Sequence, residues 1–200
     1  MPLPAGRDRF DQARLINIAN VLTALRVVLI PLFAWLLITG REFEALLVFV
    51  ACGATDALDG VLARWLRQRT LVGSYLDPIA DKLLMATAFI VLAYIQIVPK
   101  WLAILVISRD IFILVGGVLY LLLLDRTDVR PTVLSKWNTG MQLLTVTYFL
   151  AGAAFPEFAG KIGAGEGTLL SRGVTYLCAA TTAGSGAQYV FLGLRKFSDV

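Results

Sequence analysis

The sequence predicts an all-α integral membrane protein: six transmembrane helices, with a short N-terminal amphipathic helix lying on the membrane surface. Three observations predict it. Of 200 residues, 58% are hydrophobic and only 16% charged, against roughly 45–50% and about 25% in soluble domains. Mean hydropathy is +0.76. Six stretches approach the ~20 mostly apolar residues that a helix needs to cross the hydrocarbon core of a bilayer. They fall at 18–39, 44–65, 79–97, 101–124, 136–155 and 169–192.

Residues 1–17 form an N-terminal cytoplasmic or interfacial segment, and 18–196 the six-helix membrane domain. Phe10, Leu15 and Ile16 stand among charges, the pattern of a helix lying on the membrane surface. No secretory leader is expected, because Arg7, Asp8, Arg9, Asp11 and Arg14 precede an apolar run long enough to be retained. Pro31 is expected to kink the first span, and Pro78 to open the third. Segment 156–168 is Gly-rich without apolar period and reads as a loop. The linkers are short, so neighbouring helices are antiparallel. With the N-terminus inside, eleven Lys or Arg residues fall on the cytoplasmic side and four opposite. That bias puts both termini in the cytoplasm. Anionic headgroups then account for the net charge of +4, and no nucleic-acid partner is implied. Trp35, Trp65, Trp101 and Trp137 lie near span ends as interfacial anchors.

Several chemistries are excluded. The chain has no histidine, which removes Ser-His-Asp and Cys-His catalysis and His-ligated zinc. Its two cysteines, Cys52 and Cys178, sit in apolar stretches as buried thiols rather than a disulfide framework.

The chemistry concentrates in residues 56–81. Asp56 and Asp59 are three apart, and Asp77 and Asp81 four apart, so each pair shares a helix face. The turn between the helices brings four carboxylates together at the cytoplasmic end. Unpaired, they repel and are costly to bury. Divalent cations supply the missing charge, and an all-oxygen set favours Mg²⁺ or Mn²⁺, two ions being expected. Gly60 and Ala63 leave room on the same face, Gly73 lies in the turn, and Arg64, Arg67 and Arg69 suit phosphate. Such a set outlines phosphoryl transfer. Charged helix ends also solvate loops, and a cation transporter would use carboxylates too. Transporters place them near the midplane, however, whereas these gather at one interface beside arginines.

Asp56-x-x-Asp59-Gly60-x-x-Ala63-Arg64, then eight residues, then Gly73-x-x-x-Asp77-x-x-x-Asp81 resembles the full signature of the CDP-alcohol phosphotransferase (CDP-alcohol phosphatidyltransferase) family. The lead-in Asn20-x-x-Thr23-x-x-Arg26, followed by Pro31, is similar to bacterial phospholipid-synthesising members. The resemblance implies a homodimer in the bacterial inner membrane, with CDP-diacylglycerol as donor and CMP released. It implies metal ligation by Asp56, Asp59, Asp77 and Asp81, with Asp81 also the general base. It implies that Asp56, Asp59, Gly60, Ala63, Arg64 and Gly73 hold the CDP moiety.

For the acceptor, two branches of the family compete. One uses phosphatidylglycerol and forms cardiolipin; the other uses glycerol 3-phosphate. Ile107-Ser108-Arg109-Asp110, Arg130-Pro131-Thr132, Leu134-Ser135-Lys136, Asn138-Thr139 and Gln142 resemble the eukaryotic-type cardiolipin-forming branch, as do Thr181-Thr182-Ala183, Ser185 and Tyr189. Arg109, Arg130 and Lys136 are the expected acceptor-binding cations. An ion pair with Asp110 is the simpler role for Arg109, and a snorkelling cation for Lys136.

Overall fold

The computed structural model describes residues 18–66, 71–124, 132–160 and 168–198, and within them the side chains of 23–55, 79–117, 132–157, 159–160 and 168–192. Every described element is helical: α1 (Ile18–Ile38), α2 (Glu42–Leu66), α3 (Leu71–Tyr94), α4 (Lys100–Leu124), α5 (Val133–Ala154), the single turn α6 (Pro156–Ala159) and α7 (Leu169–Ser198). Six long helices thus stand where six apolar runs predict them. The expected surface helix in 1–17 lies outside the described residues.

The helix ends follow local chemistry. Gly40 closes α1 at φ 72°, with Gly40 N–H on Leu37 O at 3.2 Å and Arg41 N–H on Leu36 O at 2.9 Å. This paired arrangement satisfies the last carbonyls and calls for a left-handed residue, the usual task of glycine. The end of α3 repeats it with Gln96 in the left-handed position, at φ 66°. Gln96 N–H meets Ala93 O at 3.3 Å, and Ile97 N–H meets Leu92 O at 2.9 Å. Thr132 and Thr168 cap α5 and α7, each hydroxyl accepting an N–H at 3.2 Å, from Ser135 and Ser171.

Two expectations need correction. The third helix starts at Leu71, eight residues before the predicted start, so Pro78 falls inside it and does not open it, and Gly73 belongs to its first turn and not to a linker. Once α3 is packed along α1, each further residue gains a hydrogen bond, and this outweighs the local preferences of Gly and Pro. The segment read as one loop begins with the helical turn Pro156–Ala159, Pro being preorganised for a first helical position. Pro31 lies inside α1, as expected.

The helices pack in two groups. α1 lies against α2 and α3, while α7 lies against α4 and α5; α2–α5, α3–α4 and α3–α5 contacts join them. A continuous apolar core runs through both, from Phe33, Leu37 and Phe49 through Phe89, Leu92 and Val106 to Val146, Leu150 and Cys178. Phe33 and Phe49 meet at a tilt of 35° across α1 and α2, 5.8 Å apart, and Phe43 meets Phe155 edge-on at 5.6 Å. Cys52 and Cys178 are buried free thiols, as expected.

Polarity is distributed in an unusual way. Val28, Ile104, Phe112, Leu114, Leu169 and Phe191 are exposed, as are Trp35, Trp101 and Trp137, whereas Arg26, Arg109, Asn138, Gln142, Thr182 and Ser185 are buried. Trp65 lies outside the described side chains. Among the described residues, no helix is both long and apolar enough to cross a membrane. In α4 the charged residues Lys100, Arg109 and Asp110 lower the apolarity.

Phe89 is fully buried and Phe112 is 72% exposed. Phe89→Ala should destabilise the fold by about 3–5 kcal/mol through the cavity it leaves, seen as a large fall in Tm in detergent. Phe112→Ala should leave Tm nearly unchanged. Equal shifts for the two would refute the assignment of inside and outside.

Candidate functional site

The aspartate series occupies the second half of α2 and the first half of α3. Asp56, Asp59, Gly60, Ala63 and Arg64 are positions of α2, and Gly73, Asp77 and Asp81 positions of α3. Of these, the side chain of Asp81 is described; those of the others, with Arg67, Arg69 and Arg130, lie outside the described residues. Only 67–70 separate the two helices, so both pairs belong to one end of the bundle.

Asp81 does not stand alone. Arg26 of α1 donates from Nη1 to Asp81 Oδ1 at 2.7 Å. The Arg26 side chain is 1% exposed and that of Asp81 45%, so a buried guanidinium holds a carboxylate that opens toward solvent. Thr23, one turn earlier on α1, is also buried. Cys52 of α2, one turn before Asp56, is within electrostatic reach of both Arg26 and Asp81. α1 therefore carries the cation that fixes the α3 carboxylate. The motif containing Thr23 and Arg26 was legible as a lead-in resemblance; its partner, 55 residues on, was not.

A second network adjoins it. Lys82 Nζ is 2.7 Å from Asp110 Oδ2. Asp110 Oδ1 accepts from Arg109 Nη1 at 2.6 Å, and Arg109 Nη2 reaches Ser185 Oγ at 2.6 Å and Ser135 Oγ at 2.8 Å. Arg109 is 6% exposed. Its guanidinium ties α4 to α5 and α7, and the ion pair with Asp110 expected from the sequence is present. Lys136 is exposed.

Deeper along α5 lie Asn138 and Gln142, both fully buried. Asn138 Oδ1 accepts from Thr182 at 2.9 Å. Its Nδ2, both polar ends of Gln142, and Arg109 Nε have no partner among the described residues. Buried amides left this way call for a hydrogen-bonding guest such as water or hydroxyl. Gln142 and Asn138 were seen only as elements of a resemblance. The signal available for them was the polar i, i+4 pair in an apolar helix.

Among the described residues, no three His, Cys, Asp or Glu side chains gather as a metal group; three of the four expected ligands lie outside that set. The described part fits a hard divalent cation. Asp81 offers oxygen, is half open and is oriented by Arg26, and no imidazole competes in a chain without histidine.

The chain is 35% identical over 205 residues to a probable cardiolipin synthase (CMP-forming) of Drosophila melanogaster, covering 92% of this chain and 61% of that protein. The human cardiolipin synthase (CMP-forming) is 37% identical over 156 residues, 70% of this chain and 52% of that one. A probable phosphatidylglycerophosphate synthase of Mycobacterium tuberculosis is 31% identical over 195 residues, covering 94% and 87%. The chain thus spans only half to three fifths of the length of these two cardiolipin synthases. A family profile described as CDP-alcohol phosphatidyltransferase matches residues 16–183. Because that match runs from the first helix into the last, through the helices that carry the aspartate series, the chain belongs to the CDP-alcohol phosphatidyltransferase family.

Proposed function

We propose that the protein is a membrane-embedded enzyme of phospholipid biosynthesis. It transfers the phosphatidyl group of CDP-diacylglycerol to the hydroxyl of phosphatidylglycerol, giving cardiolipin and CMP. The observation that carries this reading is the Arg26–Asp81 pair, set on helices whose aspartates follow the family signature. Cardiolipin synthases among the relatives support the acceptor.

The membrane reading rests on the inverted polarity: exposed Val28, Ile104, Phe112 and Phe191 outside, buried Arg26, Arg109, Asn138 and Gln142 within. Lipid reverses the usual cost of exposing apolar surface, and intramembrane charges face the bundle interior. The basic bias of the predicted cytoplasmic segments places the aspartates and both termini on the cytoplasmic side. A homodimer in an inner membrane completes the proposal by analogy with the family.

In the reaction, Mg²⁺ or Mn²⁺ held by Asp56, Asp59, Asp77 and Asp81 would supply charge neutralisation for the pyrophosphate. Gly60, Ala63, Arg64 and Gly73 receive the CDP moiety. Arg26 orients Asp81, which takes the proton from the acceptor hydroxyl. The hydroxyl oxygen bonds to the β-phosphorus as its bond to CMP breaks, and CMP leaves with those electrons. Arg130 and Lys136 attract the acceptor phosphate. Arg109, spent on Asp110, Ser135 and Ser185, shapes the acceptor side by holding α5 and α7 in place. Next to it, Asn138 and Gln142 offer neutral hydrogen-bonding groups, suited to a glycerol hydroxyl.

Glycerol 3-phosphate is the second acceptor to test, because a mycobacterial relative covered to 87%, over 94% of this chain, is named phosphatidylglycerophosphate synthase. Purified protein with CDP-diacylglycerol should release CMP on addition of phosphatidylglycerol and not of glycerol 3-phosphate. The opposite result would overturn the acceptor while leaving the transferase chemistry standing. CMP from neither, alongside uptake of a cation into vesicles, would favour a transporter.

Chelation with EDTA should abolish CMP release, and added Mg²⁺ or Mn²⁺ should restore it; Asp77→Asn should not be restored. Turnover that survives chelation rules out the metal assignment. Asp81→Asn should lower turnover by about 10²–10⁴-fold yet still bind CDP-diacylglycerol, measured by equilibrium binding. An active Asp81→Asn enzyme would remove its role as base.

A further inference from the structure

At the end of the bundle away from Asp81, a recess of about 280 Å³ opens between the α3–α4 turn and the first turns of α7. Trp101 on its lining is nine residues before Asp110 on α4, hence about 14 Å along the helix axis from the level of the Lys82–Asp110 bridge. The recess shares no residue with the site described above.

Its chemistry points to an anion. Among the described residues, Arg172 is the one charged side chain on the lining, and no carboxylate pairs with it. It stands in the first turn of α7, where the helix dipole is already positive, so a cation there is unfavourable until a negative group arrives. Buried Thr175 places a hydroxyl on the same lining, while that of Ser171 is engaged by Thr168 at 2.9 Å and Tyr148 at 3.2 Å. Gln96 supplies an amide from the left-handed position that ends α3. A non-glycine residue there costs about 1–2 kcal/mol, and such cost persists where surroundings or function require the side chain.

Its rim points to a lipid. Trp101 and Tyr176 stack at 6.0 Å across α4 and α7. From there Ile104 and Ala180, each one turn further on, are exposed and continue an apolar face down the two helices. An aromatic pair at the level of the headgroup, with apolar surface below and a guanidinium above, matches a phosphate bearing acyl chains.

We propose that this recess binds the phosphate of an anionic glycerophospholipid, held by Arg172 with Thr175 and Gln96, its chains lying against the α4–α7 face. The site is separate from that of the donor and acceptor and lies at the opposite end of the bundle. It rests on the membrane reading given above.

The test uses the full chain in neutral detergent and native mass spectrometry, with dioleoylphosphatidic acid as probe because it carries no acceptor alcohol. Wild type and Asp77→Asn should both retain it, with dioleoylphosphatidylcholine retained far less. Arg172→Gln should lower occupancy about tenfold, the loss of a charge-assisted phosphate contact. Gln96→Gly, which keeps the left-handed turn, should lower it to a smaller extent. Equal retention by Arg172→Gln, or equal retention of phosphatidylcholine, overturns the proposal. Displacement by millimolar inorganic phosphate would show a site for free phosphate and overturn the lipid assignment. Failure of the membrane reading has its own signature: a chain that stays monodisperse in buffer without detergent or lipid.

Discussion

A guanidinium buried in the middle of a helix bundle must be satisfied where it lies, and Arg109 imposes that constraint on this fold. Its partners come from three helices: Asp110 of α4, Ser135 of α5 and Ser185 of α7. Removing one partner from a buried charge is strongly destabilising, commonly 3–5 kcal/mol. The register of α5 and α7 against α4 is therefore set by this one side chain. Asp110 then passes the constraint to Lys82 of α3. Lys82 is the neighbour of Asp81, which Arg26 holds from α1. One level of the bundle, read across five helices, is organised by charge, and the aspartates at the end of α2 and the start of α3 are built onto it.

Apolar contacts do a different task. Phe33, Phe49, Phe89 and Leu150 fill the interior, yet equally large side chains cover the outside. On the membrane reading proposed above, burying a leucine gains little, and close packing together with interhelical hydrogen bonds holds helices together. The Asn138–Thr182 bond and the hydroxyls around Arg109 are contacts of that kind. On this view the polar interior is the specifying part of the core. The unpartnered amides of Asn138 and Gln142 mark where that interior has room for a guest.

The two ends of the bundle differ in chemistry. At one, Arg26 holds the Asp81 carboxylate, and the proposed function puts a metal-bound pyrophosphate there. The other collects a cation, hydroxyls and stacked aromatics around the α3–α4 turn, and suits an anion. Under both proposals, about two and a half helical turns separate the transfer site from the lipid-phosphate recess.

The sequence by itself determined the six helices and the family. Apolar runs bounded by Gly, Pro and charge are local signals, so α1, α2, α4 and α5 begin and end within three residues of the predicted spans. The i, i+3 and i, i+4 spacing of the aspartates is local as well. The start of α3 was not legible, because Gly73 and Pro78 read as breakers and only packing along α1 extends the helix through them. Nor was the grip of Arg26 on Asp81, or of Arg109 on Ser185, since 55 and 76 residues separate those partners. Periodicity tells which face of a helix a residue occupies, but not which helix that face will meet. Tertiary structure alone decided that Arg109 turns inward to bind the bundle together, because a buried charge takes its role from the partners that folding brings to it.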